Sequence, residues 1–465
     1  MNDLRCKLLV IGGGPGGYVC AIRAGQLGVD TVIVERDSFG GTCLNVGCIP
    51  SKALIHAADE FQKISQAANS VSHLGITASN AKIDLGATVG WKDTIVKRLT
   101  TGVGALLKKA GVKTVTGNAR FLDGKTVEVE TNSGRQIISA ETIVIATGST
   151  PVELPMLPFG GKVLSSTEVL SLSTLPETMI VVGGGYIGLE IGTAFRKMGV
   201  SVTIVEAADR ILPQYDAKLT KPVLARLKTL GVEVLTGVQA NGITEAGDAL
   251  KITTKTGEQR TLPASVVLVT VGRRPTTGGF GLETLGLAMV GPFVKIDEQC
   301  CTSMRGVFAI GDVTGDPMLA HRAMAQGEMV AEIVSGNKRV WDKYAIPAIC
   351  FTDPEVVTVG HSLEQAKATG VAVNVGMFPF RGNGRAMTIE RDDGFVRVIA
   401  RADDHVVLGI QAVGQGIAEL ATAFGIAIEM GARLEDIADT IHAHPSLGEA
   451  FQESALSALG HAIHI

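Results

Sequence analysis

Residues 7–17 read KLLVIGGGPGG and residues 179–188 read MIVVGGGYIG. In the first stretch an apolar run from Lys7 to Ile11 precedes Gly12-Gly13-Gly14-Pro15-Gly16-Gly17; a helical pattern then continues to Leu27, and the β-branched run TVIVE ends at Glu35. In the second, Met179 to Val182 precede Gly183-Gly184-Gly185-Tyr186-Ile187-Gly188, a helical pattern reaches Met198, and SVTIVE ends at Glu206. Each copy has the G-x-G-x-x-G spacing, on Gly12, Gly14 and Gly17 or on Gly183, Gly185 and Gly188, and each carries its acid 18 positions after the last glycine. Strand, glycine turn and helix in this order predict a βαβ unit. The first glycine allows the tight turn, the second lets the backbone approach a pyrophosphate, and the third lets helix and strand pack closely. The helix N-terminus offers free N–H groups and a positive dipole end to phosphate, and a carboxylate at the tip of the second strand can accept hydrogen bonds from a ribose diol. One such match is weak in a chain with 57 glycines, but two in register predict two bound dinucleotides.

Outward from these units the chain has room for about three domains in its 465 residues. The stretch 104–119 reads as helix then strand, 125–145 alternates as strands, and TIVIATGSTP closes the first unit at residues 142–151. Residues 233–257 read as strands, and SVVLVTVGRRP at 265–275 closes the second unit in the same way. Beyond Pro347 the glycine fingerprints stop; strands GFVRVIA and HVVLGIQAV precede helical stretches AELATAFGIAIEM and LGEAFQESALSALG, which predicts an α+β domain. The expected fold class is therefore α/β, with two Rossmann-like dinucleotide-binding domains and a C-terminal α+β domain. Charged residues are 19% and hydrophobic ones 46%, so the chain can bury cores throughout. A net charge of −4 gives no basic footprint for nucleic acid. The N-terminus lacks the pattern of a signal peptide and no run reaches a membrane span, so a soluble, cytoplasmic protein is expected, with no membrane partner. Seven cysteines, an odd number spread over a long chain, do not form a secreted disulfide framework.

Residues 40–52 read GGTCLNVGCIPSK. Four residues separate Cys43 from Cys48, close to one helical turn, so a disulfide between them is sterically reasonable. The pair could equally be two buried thiols, a structural bridge or half of a zinc site, although zinc sites commonly use shorter spacings with a second Cys or His pair, and none is evident; no metal is expected. Directly after a dinucleotide fingerprint, and with Lys52 four residues beyond Cys48, a redox role is the favoured reading.

These residues, taken with ATGS at 146–149, GRRP at 272–275, FAIGD at 308–312, MLAH at 318–321 and HAHPSLGEA at 442–450, resemble the flavoprotein pyridine nucleotide–disulfide oxidoreductases over essentially the whole length and in the family's order. Within that family the pattern is most similar to the branch that oxidises dihydrolipoamide. The resemblance implies FAD and NAD as cofactors. The FAD-binding domain would comprise residues 1–149 and 273–345, the NAD-binding domain 150–272, and a dimerisation domain 346–465.

By the same resemblance the flavin would be held by Gly12, Gly14, Gly17, Glu35, Thr42, Lys52, Gly117, Thr147, Gly148, Ser149, Asp312 and the stretch Met318, Leu319, Ala320 and His321. NAD would lie on Gly183, Gly185, Gly188, Glu206, Val238 and Gly272, with Glu190 beside Lys52 at the nicotinamide face. Cys43 and Cys48 would form the redox-active disulfide. His444, oriented by Glu449 five residues on, would be the acid/base acting on the thiols of the other subunit of a homodimer; imidazole as a group titrates near neutrality, which suits that task. The macromolecular partners implied are the lipoyl domains and acyltransferase core of 2-oxoacid dehydrogenase complexes, or the lipoyl protein of glycine cleavage. Glu206 would repel a 2′-phosphate and accept a 2′-hydroxyl, favouring NAD over NADP; the NADP-dependent glutathione reductases carry arginine there and again six residues on, where this chain has Leu212. The motif departs from the family in Ser446 and Gly448, where threonine and serine are usual, without touching the base or its acid.

The alternatives are another flavoprotein disulfide reductase or a mercuric reductase. The second would carry an extra cysteine pair at the C-terminus, where this chain reads HAIHI. A flavin-bearing subunit without turnover would be free to lose Cys43, Cys48, Lys52, His444 or Glu449, and all five are present. His442, Cys6, Cys20 and the adjacent Cys300 and Cys301 are read as structural, and His461 and His464 lack a third ligand for a metal.

Overall fold

The computed structural model describes residues 3–69 and 73–464; Met1, Asn2 and Ile465, at the outer ends of the expected first and last domains, lie outside the described residues. The first glycine unit sits in a seven-stranded sheet. Strands Lys113–Thr116, Thr31–Glu35, Leu4–Ile11 and Gly134–Ile145 run parallel in that order, with Val307–Ala309 parallel on the outer half of the last. Leu8, Leu9 and Val10 are fully buried: Leu8 and Val10 pack with helix residues such as Cys20, Ala24 and Leu107 on one face, Leu9 packs with Phe121, Val127 and Val129 on the other, and a doubly covered strand reads as a continuous apolar run. The near half of Gly134–Ile145 also pairs antiparallel with Thr126–Thr131, and that strand with Asn118–Phe121.

The second unit repeats this plan. Strands Glu233–Thr236, Ser201–Glu206, Thr178–Val182, Val266–Val269 and Val163–Leu164 are parallel in that order, and a three-stranded antiparallel meander, Gln239–Ile243, Ala249–Thr253 and Gln259–Pro263, stands beside them. The chain enters and leaves this unit through Ser149–Pro151 and Arg273–Pro275, which pair antiparallel. The C-terminal region is a five-stranded antiparallel sheet ordered Ala348–Cys350, Glu355–Gly360, Val407–Gly414, Phe395–Arg401, Val373–Pro379. Helix Glu449–Ala458 packs across its last two strands, with Phe451 edge-on to Phe424 at 4.9 Å.

Two local features differ from the sequence reading. Residues 113–121 form two strands, broken at Gly117: its N–H donates to Glu35 O at 3.0 Å, and a Cβ there would stand 2.4 Å from Glu130 O. At that point the chain exchanges a parallel neighbour for an antiparallel one. Residues 48–109 hold two long helices, Cys48–Asn69 and Leu85–Lys109, the second capped by Asp84, whose side chain accepts the Ala87 N–H. Glycines 86, 90, 102 and 104 weaken the helical signal of the second, and packing against the first overrides that local preference.

Candidate functional site

The first glycine loop is built without side-chain caps. Helix Pro15–Gln26 has Gly14 at its N-cap and Pro15 in its first turn, so no side chain competes for the N–H groups at its start. Gly12 holds φ +103°, and a Cβ there would meet Ala146 O at 2.3 Å. Glu35 accepts the Gly13 N–H at 2.6 Å with one carboxylate oxygen and the Asp37 N–H at 2.9 Å with the other, which fixes the acid at the strand tip.

This loop opens on a cavity of about 810 Å³, which lies within the roughly 300–1,000 Å³ of small-molecule sites. Gly12, Gly14, Glu35, Thr42, Cys43, Cys48, Lys52, Gly117, Thr147, Gly148, Ser149, Asp312, Met318, Ala320 and Glu190 all line it, so the expected flavin residues and the cysteine pair converge on one space. Three expected residues do not line it. Gly17 packs behind the loop, where a Cβ would fall 1.8 Å from Gly12 O; Leu319 is the N-cap of helix Ala320–Val334; and His321 turns away to Pro347 O at 2.8 Å. Arg273, in the strand returning from the second unit, donates to Ser149 Oγ at 2.8 Å, and Ser149 in turn to Asp312 Oδ2 at 2.5 Å. This chain ties three distant segments at one wall. The site fits FAD on two observations: a cavity of about 810 Å³, and a glycine cradle beside it whose first position excludes a side chain and whose helix start carries no side-chain cap.

The cysteine segment is folded by its glycines and one asparagine. Gly40 (φ +105°) turns the chain into the short helix Gly41–Asn45, whose last residue donates from Nδ2 to Phe39 O at 3.2 Å and Gly41 O at 3.0 Å. Cys48 then opens the helix Cys48–Asn69, its side chain facing the cavity. The two thiols act directly on each other. The Cys43 thiol and the nearby Lys52 ammonium outweigh desolvation and bring Cys48 down to about 7, while Cys43, set against that sulfur and half-buried, is pushed far up. Position at a helix start adds to the same tendency. Cys48 is the thiol that ionises first.

Lys52 Nζ lies 2.7 Å from Glu190 Oε2, and Glu190 is 3% exposed. The other Glu190 oxygen accepts the Phe351 N–H at 2.8 Å, and the Phe351 ring lies 4.5 Å from Lys52 Nζ. Glu190 belongs to helix Tyr186–Lys197 of the second glycine unit, so that unit reaches into the first unit's cavity. Tyr186 lines the same space, its phenol pushed up by burial and by Glu190. Phe351, Tyr186 and Arg273 were not singled out by sequence; Tyr186 carried a signal, since it occupies a variable position of the second glycine motif.

Gly183, Gly185, Gly188, Glu206, Val238 and Gly272 form a second cradle outside this cavity. Gly183 holds φ +107°, Glu206 accepts the Gly184 N–H at 2.5 Å and the Ala208 N–H at 2.7 Å, and Val238 N donates to Glu206 O at 3.0 Å. The C-terminal pair is formed: His444 Nδ1 and Glu449 Oε1 are 2.8 Å apart, and Glu449 Oε2 accepts the Ser446 N–H at 2.7 Å. Burial opposes it, but the Ser446 N–H and His444 hold the Glu449 carboxyl below its usual range. His444 is 81% exposed and does not line its own chain's cavity. His442 stacks edge-on against Phe451, and His464 pairs with Glu453 at 2.5 Å. Cys6, Cys20 and Cys300 are buried. Among the described residues no group of three or more His, Cys, Asp and Glu side chains converges, and no helix is long and apolar enough to cross a membrane.

The chain belongs to the pyridine nucleotide-disulphide oxidoreductase family: the family model matches residues 6–327 and that of its dimerisation domain residues 346–455. Among its relatives, dihydrolipoyl dehydrogenase of Pseudomonas aeruginosa is 60% identical, with 99% of each chain covered, and dihydrolipoyl dehydrogenase of Geobacillus stearothermophilus is 45% identical, with 99% of this chain and 98% of the relative covered. The solved structure of LpdA from Mycobacterium tuberculosis superposes with a TM-score of 0.88 at 29% identity, over 97% of this chain and 99% of that one. A flavoprotein disulfide reductase of Escherichia coli, RclA, gives a TM-score of 0.86 at 26% identity, over 98% and 99%.

Proposed function

We propose that this protein is a dihydrolipoyl dehydrogenase, which oxidises dihydrolipoamide to lipoamide and reduces NAD⁺ to NADH. One observation carries the reading: Cys43 and Cys48 stand together at the wall of a dinucleotide-sized cavity, beside the Lys52–Glu190 pair, in a chain 60% identical to a protein of that activity. Three domains go with it: 1–149 with 273–345 for FAD, 150–272 for NAD, and 346–465 for dimerisation. FAD would be held by the first glycine cradle, Glu35, Thr42, Lys52, Gly117, Thr147, Gly148, Ser149, Asp312 and the backbone of 318–321, and when bound supplies the acceptor through which the electron pair of the dithiol reaches NAD on the second cradle.

The sulfur chemistry belongs to the chain's own residues. The resting state is the Cys43–Cys48 disulfide. His444 of the partner subunit takes the proton of one substrate thiol, and the resulting thiolate attacks Cys43, releasing Cys48 as a thiolate. The second substrate thiol then attacks the sulfur bound to Cys43; its proton passes to the departing Cys43 sulfur, which leaves as a thiol, and lipoamide is released with its new S–S bond. Two electrons and two protons have moved from substrate to the protein. The order of ionisation supports this division of labour: Cys48, brought down to about 7, is the good leaving group, and Cys43 is the sulfur that takes the proton. The exposure of His444 fits a base that serves a neighbouring subunit. Its Nδ1 is occupied by Glu449, leaving Nε2 to face the substrate.

The expected partners are the lipoyl domains and acyltransferase core of a 2-oxoacid dehydrogenase complex, or the lipoyl protein of glycine cleavage, and the expected compartment is the cytoplasm. Steady-state rates with dihydrolipoamide and NAD⁺, set against glutathione disulfide and mercuric ion with NADPH, test the reading. Turnover is expected with the first couple at least about 100-fold above the others; comparable rates with either NADPH couple would overturn it.

A further inference from the structure

Asp59 stands seven residues beyond Lys52 on one helix, and Lys197 seven residues beyond Glu190 on the other. Seven residues are close to two turns, so each pair shares a face, about 10 Å apart along its helix. Lys197 Nζ meets Asp59 Oδ1 at 2.5 Å, repeating the Lys52–Glu190 contact two turns along with the charges exchanged. The segment Phe351–Asp353 crosses both rungs. Phe351 contributes its N–H to Glu190 and its ring to Lys52, while Asp353 Oδ2 lies 2.7 Å from Lys197 Nζ. Arg226 shares that oxygen at 3.1 Å, and Arg391 holds the other oxygen of Asp353. Lys197 does not line the large cavity. A separate cavity of about 40 Å³, walled by Ile55, Thr193, Thr352 and Glu355 among others, lies alongside the two rungs.

The side chain of Lys197 is 5% exposed. A buried charge taken from its partners loses several kcal/mol of compensation, so the arrangement resists any motion that separates Lys197 from both carboxylates. Rotation or sliding of helix Tyr186–Lys197 sufficient to swing Glu190 off Lys52 is such a motion. We infer that Lys197 is a positioning residue for the thiol site: by bridging Asp59 and Asp353 it fixes the rotation and register of its helix on the cysteine helix, and so holds Glu190 against Lys52. The inference rests on the proposed reaction for its turnover readout.

The test is a double-mutant cycle in the flavin-loaded full chain. Lys197→Met is expected to lower dihydrolipoamide kcat by about 10-fold or more in the wild-type background, the scale of a small misplacement at a site, but by less than about two-fold in Glu190→Gln. Asp59→Asn, which cuts the same bridge from its 32%-exposed end and leaves Lys197 paired with Asp353, gives a smaller loss in the same direction. Lys197→Arg, which keeps the bridge, restores turnover. A second readout needs no substrate: the pH midpoint of Cys48 alkylation in a Cys43→Ser background. Cys48 there faces Lys52, Glu190, Tyr18 and Tyr186. Lys197→Met moves the midpoint down, as Glu190→Gln does, because a displaced carboxylate no longer opposes the thiolate. Equal losses of kcat in both backgrounds, or an unmoved midpoint, overturn the inference. A wild-type protein inert toward dihydrolipoamide strikes the proposed reaction instead, and the midpoint still decides the role of Lys197.

Discussion

The two glycine units agree in the turn and acid of their cradles and differ in what surrounds them. Gly12 and Gly183 have φ of +103° and +107°, and a Cβ would strike Ala146 O at 2.3 Å in one and Thr270 O at 2.6 Å in the other. Glu35 and Glu206 each clamp the middle glycine N–H of their own loop, at 2.6 and 2.5 Å. The first cradle, however, is walled in. Helix Ala320–Val334 crosses its helix so closely that a Cβ on Gly327 would meet Gly16 O at 2.4 Å, and the cysteine segment closes another side. The glycines and acid of the second cradle lie outside that enclosure, and its helix sends Tyr186, Ile187, Glu190 and Ile191 into it. One local design therefore serves two tasks. Enclosure of the first suits a group retained through many turnovers.

The cysteines are the sharpest difference between the units, so their removal should have the largest effect. Cys43→Ser or Cys48→Ser is expected to lower dihydrolipoamide turnover by about 10³-fold or more, the scale for losing a covalent participant, with flavin absorbance retained. The two variants should separate by pH. With Cys48 alone the serine hydroxyl can still donate to the thiolate and Lys52 still faces it, so alkylation rises through a midpoint below the ordinary thiol range; the reactive form is present above it and lost as pH falls. With Cys43 alone burial keeps the thiol at or above its ordinary range, and alkylation at neutral pH is slow. Identical profiles would remove the assignment of Cys48 as the low-pKa thiol.

The glycines test enclosure itself. Gly12→Ala and Gly183→Ala each force a side chain into a left-handed backbone against a carbonyl, at a cost of about 1–3 kcal/mol. Gly12→Ala should purify with less than a tenth of the wild-type flavin. Gly183→Ala should keep its flavin and bind NADH about 10- to 100-fold more weakly, the same energy read as affinity. Loss of flavin from both variants would mean that the cradles are not independent.

How much of this was legible depends on the range of the physics. The glycine loops, their acids and the cysteine pair were readable because each requirement is local: a positive φ, a missing Cβ, a carboxylate 18 residues on. Tyr186 stood in a motif and was still passed over, since nothing local says that it faces the other unit's cavity. Phe351, Asp59, Lys197 and Asp353 were illegible for a different reason. The contacts that join them across the chain, Lys197 to Asp59 and Phe351 to Glu190, span 138 and 161 residues and form only once two helices and the C-terminal sheet have packed. The break at Gly117 was hidden because its cause, the close approach of Glu130 O, is tertiary.

The smallest effect expected concerns the acid shared by both cradles. Glu206→Arg should shift the ratio of kcat/KM for NAD⁺ over NADP⁺ by about 10-fold toward NADP⁺, roughly the 1–2 kcal/mol of one exposed or half-buried charge reversal. The carboxylate does two jobs, accepting the loop N–H groups of Gly184 and Ala208 and facing a ribose, so arginine also frees two donors and costs absolute rate with both nucleotides. Glu206→Gln separates the two: its amide oxygen can still accept from the loop, while the charge that repels a 2′-phosphate is gone. If Glu206→Gln relaxes the ratio while KM for NAD⁺ changes little, charge is the selector. If the ratio holds and both nucleotides weaken equally, Glu206 only shapes the loop, and the preference for NAD⁺ must come from the size of the second cradle rather than from its acid.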